Sequence, residues 1–391
     1  MGNLIYLDHN ATTPTDPRVV DAMLPYFNIL YGNPSSIYSL AGEAAKAKEA
    51  ARESVAKLLN AKPQEIVFTG CGTEADNFAV KGVAFANRAK GNHVITSKIE
   101  HHAVLNACKW LEKQGFDVSY ISVDKYGVLD LDELKGSITD KTVLITIMHA
   151  NNEVGTIEPI NEITGIAKDN GIYMHTDAVQ TVGKIPVDVN ELGVDLLSLS
   201  GHKFYGPKGV GALFIRKGTK IDSLLHGGHH EGLRRAGTEN IPGIVGLGVA
   251  CELAMEEREE EEKKLEALRD RLEEGLIRSI DDVIVNGHPK MRLSGTLNIC
   301  INYVEGESML LQLDHEGIAA SSGSACTSGS LEPSHVLRAM GISPILAHGS
   351  LRFSMGRGNT ARDIDKVIEV LPPIVSRLRE MSPFGKDKEK N

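Results

Sequence analysis

Short apolar runs alternate with longer stretches of mixed polarity along the first half of the chain. Runs near residues 66–69, 93–97, 117–122, 143–147, 172–176 and 194–200 read as strands, and Gly211-Ala212-Leu213-Phe214-Ile215-Arg216 adds a seventh. Stretches near 73–90, 101–115 and 159–170 read as the helices between them. Strand and helix in alternation predict an α/β fold with a mainly parallel sheet covered by helices. A long helical pattern follows from about Ile241 to Ser279, and its charge run Glu256 to Lys264 reads as a solvated face. Beyond it, strands near 295–302 and 350–354 with helices near 306–315, 334–341 and 360–380 predict a smaller α+β unit. The end, Lys386-Asp387-Lys388-Glu389-Lys390-Asn391, reads as a charged frayed tail.

Length supports two units, because 391 residues exceed the roughly 250–300 at which a single core stops growing. Apolar residues at 41% and charged residues at 24% are those of an ordinary water-soluble protein. No uninterrupted apolar window of about 18 residues is present, and Met1-Gly2-Asn3-Leu4-Ile5 enters a strand-like run without a basic leader. The expected location is therefore cytoplasmic, without a membrane partner. Five cysteines, an odd number with no C-x-x-C pair, argue against a disulfide framework and a zinc site, so no metal ligands are assigned. A net charge of −10 argues against direct nucleic-acid binding.

Four places along the chain carry chemistry. Lys203 follows the apolar run Val194 to Leu199 in Ser200-Gly201-His202-Lys203, a position at a strand end suited to a Schiff base. Asp177 ends the run Ile172-Tyr173-Met174-His175-Thr176, where a carboxylate can hold a pyridine nitrogen protonated, and Gln180 can reach the phenolic oxygen of the same ring. Gly70-Cys71-Gly72-Thr73 joins a strand to a helix and can cradle a phosphate on backbone N–H groups. Cys326 lies in Ser321-Ser322-Gly323-Ser324-Ala325-Cys326-Thr327-Ser328-Gly329-Ser330, whose small polar residues offer little apolar surface to bury a thiol. A lysine, a ring-nitrogen partner and a phosphate cradle at strand ends point to a pyridoxal 5'-phosphate enzyme. The thiol on an expected mobile loop points to sulfur chemistry.

With these motifs, and with Tyr6-Leu7-Asp8-His9-Asn10-Ala11-Thr12-Thr13-Pro14, Tyr31-Gly32-Asn33-Pro34-Ser35-Ser36 and Ser350-Leu351-Arg352-Phe353-Ser354, nearly the whole chain resembles the cysteine desulfurases of the NifS/IscS group. These are fold-type I pyridoxal phosphate enzymes. The resemblance implies a seven-stranded large domain over 16–261, and a small α+β domain made of 1–15 and 262–391 with the mobile cysteine loop at 321–333. It implies Lys203 as Schiff-base residue, His101 stacked on the ring, and Asn152 near the ring oxygen and substrate. Arg352 would grip the substrate carboxylate, and Gly72, Thr73, Ser200 and His202 the phosphate, with Thr238 reaching in from a second subunit of a homodimer.

The implied reaction converts L-cysteine to L-alanine. Lys203 removes the α-proton, His101 shuttles protons, and Cys326 takes the sulfur as a persulfide. The implied acceptors are an iron–sulfur scaffold protein of the IscU/NifU kind and tRNA-thiolation proteins. Two departures from the group's pattern stand out, at Gly70-Cys71-Gly72 and at Gly227-Gly228-His229-His230-Glu231. A selenocysteine lyase, another pyridoxal phosphate lyase or aminotransferase, and a non-catalytic scaffold are the competing readings. Cys326 speaks against the aminotransferase, and Lys203, Asp177, Gln180 and Cys326 together speak against the scaffold.

Overall fold

The computed structural model describes residues 4–322 and 333–381. Its strands, among the described residues, are β1 (Ile5–Tyr6), β2 (Ile66–Thr69), β3 (His93–Ser97), β4 (Asp117–Ile121), β5 (Thr142–Thr146), β6 (Tyr173–Asp177), β7 (Leu196–Ser200), β8 (Gly211–Ile215), β9 (Val283–Asn286), β10 (Thr296–Ile301), β11 (Ile318–Ala319) and β12 (Ser350–Ser354). Seven of them form one sheet in the order β2-β8-β7-β6-β5-β3-β4. Neighbours from β7 through β4 run parallel, while β8 is antiparallel to both β2 and β7. The expected α/β fold with a mainly parallel seven-stranded sheet is therefore present.

Continuous apolar runs such as Val143-Leu144-Ile145 are buried on both sides, so the sheet needs a helical layer on each face. On one face the helices Gly72–Ala86 and His102–Glu112 pack Phe78, Val83 and Val104 against Val67, Val94 and Leu144. On the other, the helices Ser39–Leu58 and Ile241–Ser279 contribute Val55, Ile244 and Leu247 against Ile145, Leu197 and Phe214. The helix Ser39–Leu58 is absent from the reading of the sequence. It buries Ala41, Ala44 and Ala51, so its inner face contrasts weakly with its outer one.

The helix Ile241–Ser279 spans 39 residues, about 58 Å at 1.5 Å per residue. Its second half buries Leu265, Leu268, Leu272 and Leu276 in another core, with Leu297, Leu351, Phe353 and Leu371. That core lines the antiparallel sheet β12-β10-β9 and includes Leu7 from the amino-terminal segment. The charge run 256–264 departs from a purely solvated face: Glu257 pairs with Arg18 and Arg357, and Glu261 accepts a hydrogen bond from Tyr205. No helix among the described residues is long and apolar enough to cross a membrane.

Register brings the chemistry-bearing strand ends together. Gly211 pairs with both Thr69 and Ser200, and Asp177 pairs with Ser198. The segments after β2, β6 and β7 thus leave the sheet along one edge.

Phe353 is fully buried in the second core. Phe353→Ala is expected to destabilise the protein by about 3–5 kcal/mol, read as a lower urea midpoint; an unchanged midpoint would mean that this core contributes little.

Candidate active site

A cavity of about 410 Å³ opens at this edge, lined among others by Gly72, Thr73, Asp177, Gln180, Ser200 and Lys203. Its floor is the amino end of the helix Gly72–Ala86, whose first backbone N–H groups have no partner within the helix. A Cβ at Gly72 would lie 2.7 Å from Val179 Cγ2 and 3.3 Å from Ser200 Cβ, so only glycine leaves that floor bare. Beside it, the buried Ser200 Oγ has no hydrogen-bond partner. A bare helix start with an unpartnered hydroxyl is a cradle for an anionic group. His202 stands on the same wall, its Nδ1 3.1 Å from Thr12 Oγ1.

Asp177 closes β6 at the back of the cavity. One of its oxygens accepts the Val179 N–H at 2.9 Å, and burial raises its carboxyl above the usual range. Behind it His175 bridges Thr146 Oγ1 at 2.8 Å and Ser198 Oγ at 2.9 Å, with burial holding the imidazole down at about 3. A second acid, Asp76, also faces the cavity; burial raises its carboxyl well above its ordinary value, and its Oδ1 lies 3.8 Å from His175 Nε2 without a hydrogen bond. A buried acid pair without a neighbouring arginine favours a cationic guest.

Lys203 sits in a short turn just after β7 and donates to the backbone carbonyls of Asn10 at 2.6 Å and Ala11 at 2.8 Å. Gln180 Nε2 donates to the same Asn10 carbonyl at 2.9 Å. His101 caps the helix His102–Glu112 by accepting the Ala103 N–H on Nδ1 at 3.1 Å. Burial, and then the charge of Lys203, hold its imidazole down at about 4, so at neutral pH the ring is uncharged with its proton on Nε2.

Opposite, Arg352 on β12 donates to the Asn152 carbonyl at 2.9 Å and to Asp8 Oδ1 at 2.7 Å, while its buried Nε has no partner. A guanidinium held at two corners with a donor still open can receive a carboxylate. Arg352, Asn152, His101, Lys203, Asp177, Gln180, Gly72, Thr73, Ser200 and His202 all line the one cavity. Thr238 does not; it is exposed, although its neighbour Arg235 is tied to Glu74 of the cradle helix at 2.9 Å. Cys326 lies outside the described residues, as does nearly all of the loop expected at 321–333.

A family model described as aminotransferase class-V matches residues 5–367. A relative from Methanosarcina thermophila, a cysteine desulfurase IscS, is 59% identical over 97% of this chain and 94% of its own length. The chain belongs to the class-V aminotransferase family, among its cysteine desulfurases. A cysteine desulfurase IscS from Clostridium botulinum is 53% identical over the whole chain and 99% of the relative. Among solved structures, a NifS-like protein superposes with a TM-score of 0.90 at 41% identity, covering 96% of this chain and all of that one. The structure of SspA in complex with cysteine gives a TM-score of 0.80 at 38% identity over 90% of this chain and 99% of that one.

Class-V aminotransferases work with pyridoxal 5'-phosphate. The bare helix start, the unpartnered Ser200 hydroxyl and the buried Asp177 fit the phosphate and the protonated ring nitrogen of that cofactor. Sequence reasoning assigned no role to Asp8, Asn10, Asp76 or Lys184. Asn10 lies in a quoted motif, but its part in the site is mostly its backbone carbonyl, which no residue type announces.

Glu100, immediately before His101, is fully buried; burial pushes its carboxyl up to about 8. The folded chain therefore retains a proton on Glu100 that the unfolded chain has released above about pH 4.3. Stability from this group is therefore lost progressively as pH rises from about 4.3 through about 8, and levels off above that. Wild type is expected to lose about 1 kcal/mol relative to Glu100→Gln between pH 7 and 8.5, measured by urea unfolding of the cofactor-free proteins. Parallel stability curves for the two would show that Glu100 is ionised in the fold.

Proposed function

We propose that this chain converts L-cysteine to L-alanine with pyridoxal 5'-phosphate and receives the sulfur as a persulfide on Cys326. The observation that carries the reading is the single cavity in which an amine, a buried carboxylate, a neutral imidazole and a partly open guanidinium converge. Ser321, two residues before the undescribed segment, is on the wall of that cavity and exchanges backbone hydrogen bonds with Arg352 at 2.7 and 3.1 Å. The segment bearing Cys326 therefore departs from the residue proposed to hold the substrate.

In this reading Gly72, Thr73, Ser200 and His202 hold the phosphate, and Asp177 keeps the ring nitrogen protonated. Gln180 donates toward the phenolic oxygen, and His101 packs on the ring face. The cofactor, when bound, supplies an electron-withdrawing ring that stores the electron pair of the broken Cα–H bond. Arg352 binds the substrate carboxylate through its open Nε edge, and Asn152 fixes the guanidinium from behind. Lys203 removes the α-proton once its amine is released. The Cys326 thiolate attacks the substrate sulfur; the carbon–sulfur bond breaks with its electron pair left on the β-carbon, the new sulfur–sulfur bond forms, and one proton delivered to the β-carbon and one returned to the α-carbon complete alanine.

An iron–sulfur scaffold protein and tRNA-thiolation proteins fit as acceptors for the persulfide. The exposed Thr238 beside the cradle helix fits a role in a partner's site, as a homodimer requires. Four described cysteines without a disulfide suit a reducing, cytoplasmic setting.

Purified protein given L-cysteine, pyridoxal 5'-phosphate and a thiol reductant is expected to form alanine and sulfide in equal amounts. Cys326→Ala should keep the yellow bound cofactor and lose sulfide release. Full turnover in that variant would remove Cys326 from the mechanism. Lys203→Ala should abolish labelling of the chain by borohydride reduction, and persistent labelling would place the cofactor linkage elsewhere.

A further inference from the structure

Lys184 is a lysine that the proposed reaction leaves unused. It is half-buried and lies outside the main cavity, behind Gln180. Its Nζ donates to Gln180 Oε1 at 2.8 Å and to Asn10 Oδ1 at 3.2 Å. The space beside it, lined by Lys184, Lys203, Asn10 and Glu261, is a cavity of about 30 Å³, room for a water molecule and no substrate. A direct part in the chemistry is thereby excluded, and its effect must pass through what it touches.

What it touches has an orientation to set. A carboxamide can turn over, exchanging its donor and acceptor ends at little steric cost, so its partners decide which way it points. Burial, and then the charge of Lys203, lower the Lys184 amine to about 7, so at pH 6 it is mostly an ammonium; an ammonium only donates, and the end of Gln180 that faces it must be the oxygen. A backbone carbonyl only accepts, so the end that faces Asn10 O, 2.9 Å away, must be the nitrogen. Both partners demand the same orientation. One hydrogen of the Gln180 amide goes to Asn10, which leaves the other for the cavity wall that Gln180 forms. Asn10 is fixed by the same logic: its Oδ1 accepts from Lys184, and its Nδ2 donates to Thr296 Oγ1 at 3.0 Å and the Asn152 carbonyl at 3.2 Å.

We propose that Lys184 is a positioning residue that locks the Gln180 amide with its N–H edge toward the cofactor's phenolic oxygen. The proposal rests on the reading of the cavity as the cofactor site. An N–H donor at that oxygen favours its ionised, yellow form. Without Lys184 only the Asn10 carbonyl holds that orientation, so the turned amide, which presents its carbonyl to the ionised oxygen and favours the colourless form, becomes more populated.

The test compares wild type, Lys184→Met, Gln180→Ala and the double variant, all loaded with pyridoxal 5'-phosphate at pH 6, below the value of about 7 for Lys184. Lys184→Met is expected to keep its far-ultraviolet circular dichroism and its borohydride-fixed cofactor, while the ratio of visible to near-ultraviolet absorbance falls about tenfold, as loss of a hydrogen bond to a charged group allows. Lys184→Arg, still an obligate donor, should restore most of that ratio. In the Gln180→Ala background Lys184→Met should add nothing, because the amide it orients is gone.

An unchanged spectrum in Lys184→Met would overturn the proposal. So would an equal further loss in the Gln180→Ala background, which would show the lysine's charge acting through space. Should Lys184→Met fail to fold, Lys184→Gln, which keeps polarity without the charge or the obligate donor, takes its place under the same two criteria. Wild-type protein that binds no reducible cofactor would overturn the cofactor reading itself, and is distinguished from the other failures because it appears before any substitution is made.

Discussion

The candidate site depends on how closely β8 is held between β2 and β7 at Gly211. A Cβ there would lie 2.6 Å from the Leu199 carbonyl oxygen and 2.9 Å from the Cys71 carbonyl carbon, both backbone atoms that cannot step aside. The glycine lets the turn after Thr69 fold back over β8, which sets Cys71 and Gly72 beside Ser200. Because β8 reverses direction twice over, β2 and β7 run the same way and end on the same edge. The phosphate cradle and the lysine come from segments more than a hundred residues apart in the chain, and this contact sets their spacing.

Around that edge the protein concentrates buried polar groups that a folded core normally avoids. Asp76, Asp177 and Glu100 are all raised by burial, and His101 and His175 are held neutral by it. Unpaired buried charge costs several kcal/mol per ion; Glu100, His101 and His175 avoid it at neutral pH by taking their neutral forms, whereas Asp177, raised only to about 6, stays ionised under the charge of Lys203. Such a site is poised rather than stabilised. A protonated ring nitrogen would add a second cation to the charge of Lys203 that already acts on Asp177, and an anion would occupy the cradle and give the Ser200 hydroxyl the partner it lacks. The same physical reasoning separates Arg352 from the others: it is already paired with Asp8, while its Nε finds no acceptor among the described residues and leaves a donor for a carboxylate.

Much of this was legible from residue order, for reasons that differ residue by residue. Apolar runs, buried on both faces except in the half-buried edge strand β4, announced the seven strands to within a residue or two, and Asp177 and Lys203 were legible because one closes such a run and the other follows one. The resemblance supplied His101, Asn152 and Arg352, whose local patterns are those of an ordinary helix cap, a loop and a strand. The helix Ser39–Leu58 escaped because its buried face is built on alanine, and alanine is neither distinctly apolar nor excluded from surfaces. The charge run 256–264 was half misread, since a helix that passes between two cores turns some of its acidic residues inward toward Arg357 and Tyr205. Lys184 carries no signal in sequence, because its partners come from a turn and from a segment 174 positions away.

That distant segment explains why the site sits where two hydrophobic cores meet. Leu7 is buried in the second core, and three residues later Asn10 bonds Lys203 and Gln180 on one side and Thr296 on the other. Its own N–H is held by Ser354 Oγ, two residues beyond Arg352. The chain from Leu7 to Asp16 is thus a strap across both cores, and its far end is fastened again: Tyr205, with a left-handed φ of +64°, donates its N–H to Thr13 Oγ1 and accepts the Asp16 N–H on its carbonyl, while Arg357 stacks 3.8 Å from its ring. A non-glycine residue keeps that backbone only where its surroundings over-determine it. Here they include groups from both cores, two residues from Lys203. A shift of the β10–β12 sheet against the seven-stranded sheet would therefore be felt at the lysine and at the arginine together, so the residue proposed to hold the substrate and the residue proposed to take its proton are one mechanical unit.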